Sequence, residues 1–116
     1  ILDTYKKKYL RDFKNCELKF MEISCETTII GQKHLKAAIH PFDHTARPQI
    51  LNKRDNPEYY DLIKEFSKIS GVGGVLNTSY NIHGEPVVMN MQDSLKSFLN
   101  SGLNFIAIGN YLFEKK

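Results

Sequence analysis

Between Asn56 and Gly71 the chain carries a complete set of signals for one helix, and that helix restricts what the remainder can fold into. Asp55 or Asn56 can cap it, Pro57 stands where a missing N–H is harmless, and Glu58 meets the positive end of the helix dipole. Tyr59, Leu62, Ile63, Phe66 and Ile69 then recur at steps of three and four before Gly71 closes the run. A helix with this apolar face needs a layer to bury it against. Short apolar runs at 18–24, 27–30, 37–40, 72–76, 87–89 and 103–109 predict that layer as strands. The expected architecture is α/β: a twisted mixed sheet of about five or six short strands with about three helices packed on it.

Two further helices complete that count. Residues 3–15 place Tyr5 or Tyr9, Leu10 and Phe13 on one face, with Lys6, Lys7, Lys8 and Arg11 mostly elsewhere. Asn90 caps a second helix, with Asp93 three residues on, Leu95, Phe98 and Leu99 toward the core, and Gly102 as its end. The last residues, 110–116, read as a tail.

At 116 residues the chain makes one domain at most, able to bury roughly 65% of its unfolded surface. Its 41% hydrophobic and 25% charged residues exclude a disordered or collagenous protein, and no apolar run approaches the roughly 20 residues of a membrane span. The net charge of +3 is too small to announce a nucleic-acid binder. Cys16 and Cys25 form no CxxC pair and no leader precedes them, which points to a reducing, cytoplasmic setting. The chain opens on Ile1 in a helix-like pattern without a cap, as expected of a piece cut from a longer chain.

Two loops carry side chains suited to chemistry. The first, HPFDHTARPQ at 40–49, concentrates two histidines, an Asp and an Arg without helical or strand period. His40 and His44 stand four apart, but Pro41 prevents a helical pair, and a zinc ion would need two more ligands where only Asp43 is near. No metal site is expected. Arg47 can fork onto a phosphate or carboxylate, or form a salt bridge with Asp43 or Glu85. The second loop, NTSYN at 77–81, follows an apolar run and offers Asn77, Thr78, Ser79 and Asn81. These suit ribose, phosphate or carbamoyl oxygens, or a turn that satisfies itself. A triad from Ser79, His83 or His44 and Asp43 lacks any GxSxG context, and Gly71, Gly73 and Gly74 match no phosphate-loop motif. Helix closure and close packing account for those glycines.

Together, HPFDHTARPQ, VLNTSYNIHGEPVV and LNFIAIGNYLFEKK resemble the end of the carbamoyltransferase family that includes nodulation and antibiotic O-carbamoyltransferases. The likeness covers almost the whole chain, KFMEIS at 19–24 included. It implies a C-terminal domain similar to YrdC, preceded in the family by a larger metal-holding domain similar to Kae1. It also implies a reaction in which ATP, with Mg²⁺, and carbamoyl phosphate give carbamoyl-adenylate and pyrophosphate. The carbamoyl group then passes to a hydroxyl of a small molecule or oligosaccharide. On this resemblance Arg47 neutralises phosphate charge, and Asn77, Ser79 and Asn81 hold adenylate and carbamoyl oxygens. Ser79, Tyr80 and Asn81 match an S-x-N signature at the nucleotide. Thr78, Thr45 and His40 are further binding candidates, and Arg47, Ser79 and Asn81 the catalytic ones.

The sequence departs from the family in two places. His44 stands where the family has a small residue, commonly Gly, and either adds a donor or crowds the loop. A basic KxRExFRPFAP-like segment, expected to grip phosphates upstream of the first helix, is absent, as is the Kae1-like domain. The piece alone is therefore expected not to turn over. Two other classes compete: an RNA-binding module using Lys6, Lys7, Lys8, Arg47, Lys53 and Arg54, and a non-catalytic docking domain with an exposed apolar face.

Overall fold

Tyr9 is wholly withdrawn from solvent, and the first of two compact units, Ile1–Leu76, is built around it; the second is Asn77–Lys116. The computed structural model describes residues 1–13 and 16–116, so Asn15, the expected end of the first helix, lies outside the described residues. That helix is shorter than expected. A 3₁₀ turn, Asp3–Tyr5, leads into α1, Lys6–Tyr9. Leu10 is already extended, bridging antiparallel to Thr27, and Arg11 N–H donates to Glu26 O at 2.8 Å. Cross-chain pairing has replaced the next helical turn. The inner face is the expected one: Tyr9 and Leu10 are buried with Leu18, Cys25, Leu35 and Ile50, and Tyr5 and Phe13 pack against them. Both cysteines are unbridged, and burial raises the pKa of the Cys25 thiol.

Several expected strands take other forms. Thr28, in the β-branched run at 27–30, caps α2, Ile29–His34. Its hydroxyl accepts from Gly31 N–H at 3.0 Å and donates to Lys8 O at 2.6 Å, so one side chain begins α2 and ties it to α1. The strand falls just before it, as β1, Cys25–Glu26, paired antiparallel with β2, Thr45–Ala46. Cys25 faces Ala46 and Glu26 faces Thr45. The run at 37–40 becomes a 3₁₀ turn, Lys36–Ala38. Alternation at 18–24 is broken where Met21 takes φ +39°, leaving Leu18 buried and Phe20 exposed.

The helix signalled most strongly, α3, spans Pro57–Ser70 with its caps in place. Asn56 Oδ1 accepts from Tyr59 N–H at 3.0 Å, and Gly71 closes it at φ +74°. Its inward side differs from the expected one. Ile63 and Ser67 are buried, whereas Tyr59, Leu62, Phe66 and Ile69 are exposed. Tyr60 Oη donates to Asp3 at 3.3 Å and Lys53 pairs with Asp61 at 2.9 Å, which hold the helix on its Tyr60–Ile63–Ser67 side. After α3, Gly73 donates to Tyr9 Oη and accepts from Leu2 N–H, both at 2.9 Å. Its backbone is thus satisfied without a ladder, and the run at 72–76 forms no strand.

In the second unit, Asn90 Oδ1 caps α4, Met91–Asn100, accepting from Asp93 N–H at 2.8 Å. Phe98 is buried, Leu95 half-buried and Leu99 exposed. The expected strand at 103–109 is β3, Phe105–Ile108. The expected tail instead returns as β4, Tyr111–Glu114, in a hairpin that pairs Ile106 with Phe113. Gly109, at φ +57°, makes the two-residue turn possible. Lys115 Nζ then donates to Leu99 O at 2.7 Å and Ser101 O at 2.9 Å, satisfying carbonyls at the end of α4.

The chain is thus a small mixed α/β protein with four α-helices and two two-stranded antiparallel sheets among the described residues, rather than one mixed sheet. The difference has a local cause: extended runs at 18–24 and 72–76 meet side chains, turns and single backbone partners instead of ladders. No helix among the described residues is long and apolar enough to cross a membrane.

Candidate functional site

The sequence-predicted residues fall on two loops, one in each unit. In the first unit, Asp43 organises the loop that carries His40, Thr45 and Arg47. Its Oδ1 accepts from Thr45 N–H at 2.9 Å and Thr45 Oγ1–H at 2.8 Å, and lies 3.1 Å from His40 Nδ1. Those donors, Thr45 first, lower the carboxyl pKa below its ordinary value. Backbone bonds close the same loop: His40 N–H to Thr45 O at 2.8 Å, and His44 N–H to His40 O at 3.0 Å. The D-x-T spacing was the sequence signal for this hub, since an Asp side chain readily accepts from the amide two residues on. The residue types suggest Asp43 as a metal ligand, a triad member or a salt-bridge partner of Arg47, and the structure makes it the hub of the loop instead.

His44 takes φ +57°, the left-handed region that favours glycine. This gives a backbone reason for the small residue that the resemblance expects there. Replacing His44 by Gly should stabilise the first unit by about 0.5–1 kcal/mol, because the relief of about 1–2 kcal/mol exceeds the added chain entropy. A rise of a few degrees in the thermal midpoint would show it, and a fall would mean that the imidazole contributes more than its backbone costs.

Thr45 and Ala46 belong to β2, with Ala46 buried and Thr45 half-buried. Arg47 follows and is exposed. Its guanidinium has no side-chain partner among the described residues, and Asp43, one expected partner, is taken by Thr45 and His40. A fork of five donors is thus left on the surface beside a loop of defined shape.

In the second unit, Ser79 Oγ donates to Asn81 Oδ1, and Asn81 Nδ2 donates to Glu85 O at 2.6 Å. Thr78 Oγ1 accepts from Tyr80 N–H at 3.2 Å, and Asn77 is also engaged. Tyr80 sits at φ +54°, and its hydroxyl is buried without a hydrogen-bond partner among the described residues. Glu85 N–H donates to Ile82 O across the turn at Gly84, φ +87°. Ser79 therefore pairs with Asn81, and Asp43 with Thr45 and His40. The loop presents a Ser79 oxygen whose hydrogen is already given and a Thr78 oxygen that accepts from the backbone.

A polar cleft of about 490 Å³ lies elsewhere in the first unit, lined by Asp3, Lys19, Asn52, Lys53, Arg54 and Asp55. It contains none of the nucleotide-site candidates, and its charges answer one another, with Lys53 on Asp61 and Lys19 on Glu17 at 3.4 Å. Lys6 lies over Phe13 and Lys8 over Tyr5, so part of the expected basic surface is engaged with aromatic rings. Among the described residues, no group of three or more His, Cys, Asp or Glu side chains is disposed to hold a metal ion.

Comparison with known proteins identifies the family. Residues 1–115 match the sequence profile of the carbamoyltransferase C-terminus family. An uncharacterised protein of Methanocaldococcus jannaschii is 42% identical over 82 residues, 71% of this chain and 13% of that protein. Nodulation protein NolNO of Sinorhizobium fredii is 35% identical over 86 residues, 74% of this chain and 13% of its own length. The 3'-hydroxymethylcephem-O-carbamoyltransferase of Amycolatopsis lactamdurans is 30% identical over 81 residues, 70% of this chain and 15% of that enzyme. The matched regions are thus a small part of each of these relatives. With its profile match running through both loops and both units, the chain belongs to the carbamoyltransferase C-terminus family.

Proposed function

We propose that this chain supplies ATP and carbamoyl-phosphate binding groups to an O-carbamoyltransferase reaction that proceeds through carbamoyl-adenylate. Balanced, that step takes in ATP, carbamoyl phosphate and water and releases carbamoyl-adenylate, pyrophosphate and phosphate; transfer to a hydroxyl acceptor follows on a Kae1-like domain. The observation that carries the reading is the Arg47 guanidinium, without a side-chain partner among the described residues, beside the loop ordered by Asp43, in a chain of this family. Arg47 meets phosphate charge. Thr45 and His40 line the same loop, and Asn77, Thr78, Ser79 and Asn81 hold adenylate and carbamoyl oxygens. ATP enters with Mg²⁺ bound to its phosphates, as a co-substrate.

Calorimetric titration with carbamoyl phosphate and with ATP and Mg²⁺ tests this. Arg47→Ala should weaken carbamoyl-phosphate binding about 10- to 100-fold, the worth of a charge-assisted contact, while changing fold stability by less than about 1 kcal/mol. Asn81→Ala should weaken ATP binding in the same way. Unchanged affinities would remove these residues from the site. The alternative is a docking module, favoured by the exposed stripe of Tyr59, Leu62, Phe66 and Ile69 on α3. If neither nucleotide nor carbamoyl phosphate binds, that reading replaces the catalytic one. RNA binding with steep salt dependence would instead indicate a nucleic-acid module.

A further inference from the structure

We propose that Thr45 and Asp43 form a specificity element that recognises the amino group of a carbamoyl ligand, with Thr45 as the contact and Asp43 as its positioning residue. The inference rests on the functional reading above and names the part of the substrate that the first loop selects.

The argument starts from where the hydrogens of Thr45 go. Its amide hydrogen and its hydroxyl hydrogen both point to Asp43 Oδ1, at 2.9 and 2.8 Å. Its carbonyl accepts from His40 N–H at 2.8 Å. A threonine hydroxyl has one hydrogen to give and two lone pairs with which to accept, and here the hydrogen is already given. Toward anything outside the loop, Thr45 Oγ1 is an acceptor only. The residue is half-buried, so the oxygen is held in place yet reachable. Donating to a carboxylate also strengthens the hydroxyl as an acceptor, since successive hydrogen bonds polarise one another.

An acceptor beside a carboxylate is the wrong partner for a phosphate. It suits a group that carries N–H and no negative charge, and in carbamoyl phosphate that group is the carbamoyl NH₂. Arg47 stands two residues beyond Thr45, just past the end of β2, and Pro48 after it favours extended backbone. Side chains at i and i+2 share one face of such a segment, about 7 Å apart, and the buried Ala46 between them marks the opposite face. Allowing a hydrogen bond at each end, this spacing suits a ligand with an amino group at one end and a phosphate at the other. His40, fixed on the same Asp43 oxygen, limits which rotamer the carboxylate can take. The element thus distinguishes a carbamoyl group from an acetyl group of nearly the same size: the methyl of acetyl phosphate gives Thr45 nothing and leaves its lone pairs facing an apolar surface.

The test is the ratio of affinities for carbamoyl phosphate and acetyl phosphate, titrated into the wild-type chain, Thr45→Val, Thr45→Ser and Asp43→Ala. The wild type should prefer carbamoyl phosphate about tenfold, the worth of one well-placed hydrogen bond. Thr45→Val should bring the ratio toward one, Thr45→Ser should restore it, and Asp43→Ala should lower it by freeing the hydroxyl to rotate and donate. A merely structural role for the loop would weaken both ligands alike and leave the ratio unchanged. Equal wild-type affinities, or a ratio that survives both Thr45→Val and Asp43→Ala, would overturn the inference while leaving the Arg47 reading in place. Failure of the wild type to bind either phosphate would overturn the functional reading and this inference together. Circular dichroism identifies a variant that does not fold, and in that case Thr45→Ser and the wild-type ratio decide the matter.

Discussion

Tyr9→Ala should cost the first unit about 3–5 kcal/mol, a large part of the 5–15 kcal/mol that typically separates folded from unfolded domains. Three effects act together at this residue. The ring is fully buried among Leu10, Leu18, Cys25, Leu35 and Ile50, so its removal loses apolar burial and opens a cavity. It lies 5.5 Å from the Tyr5 ring and 5.6 Å from the His34 ring, centroid to centroid, and those aromatic pairs are lost as well. Its hydroxyl accepts from Gly73 N–H at 2.9 Å in a buried setting and lies 3.0 Å from His34 Nδ1. The backbone amide of Gly73 would be left without that partner. Tyr9→Phe separates the contributions: it keeps the packing, removes the acceptor, and should cost about 1–3 kcal/mol. Urea denaturation of both variants, followed through signals of the first unit, checks this. A Phe variant as stable as the wild type would show that the Gly73 amide finds another partner readily.

Gly31→Ala should destabilise the same unit by about 3 kcal/mol, at the upper end of the usual cost of overpacking. A β-carbon at Gly31 would overlap the backbone oxygen of Tyr9. A flexible side chain would swing aside there, but this carbonyl does not, because it is fixed by Thr28 N–H at 2.9 Å. Relief requires α2 to move off α1, and that movement would pull on the Thr28 hydroxyl, which bonds both Gly31 and Lys8. In an exposed helix, alanine would stabilise relative to glycine by up to about 1 kcal/mol, so the sign of the effect is itself the test. A variant with an unchanged or raised denaturation midpoint would mean that the approach of α2 to α1 is looser than the structure shows.

How legible the fold was depended on where each segment finds its hydrogen-bond partners. The helix at Pro57–Ser70 was readable because its caps, proline and closing glycine lie within it and act over one turn. The second capped helix, Met91–Asn100, was readable for the same reason. The inward face of Pro57–Ser70 was not, since Tyr60 and Asp61 are held by Asp3 and Lys53 from other segments, and periodicity alone cannot weigh such anchors against an apolar stripe. The run at 27–30 forms no strand: β-branched residues suit strands, yet Thr28 also makes a good cap and finds Lys8 O across the chain. Two-residue strands such as Cys25–Glu26 carry too little pattern to announce themselves. In the candidate site, the residue types of both loops were visible, and the role of Asp43 was not, because it lies in which hydrogens point to which oxygen.

Local chemistry in the sequence therefore settled the two capped helices, the pair of polar loops and the family to which they belong. Those features depend on neighbours within a few residues, and motif strings survive any rearrangement of the rest. Tertiary structure alone decided that Tyr9 is the centre of the first unit and that runs expected as strands find no ladder partner. The physical reason is that a backbone amide or a hydroxyl takes whichever partner the folded chain brings within about 3 Å, and sequence spacing does not measure that distance.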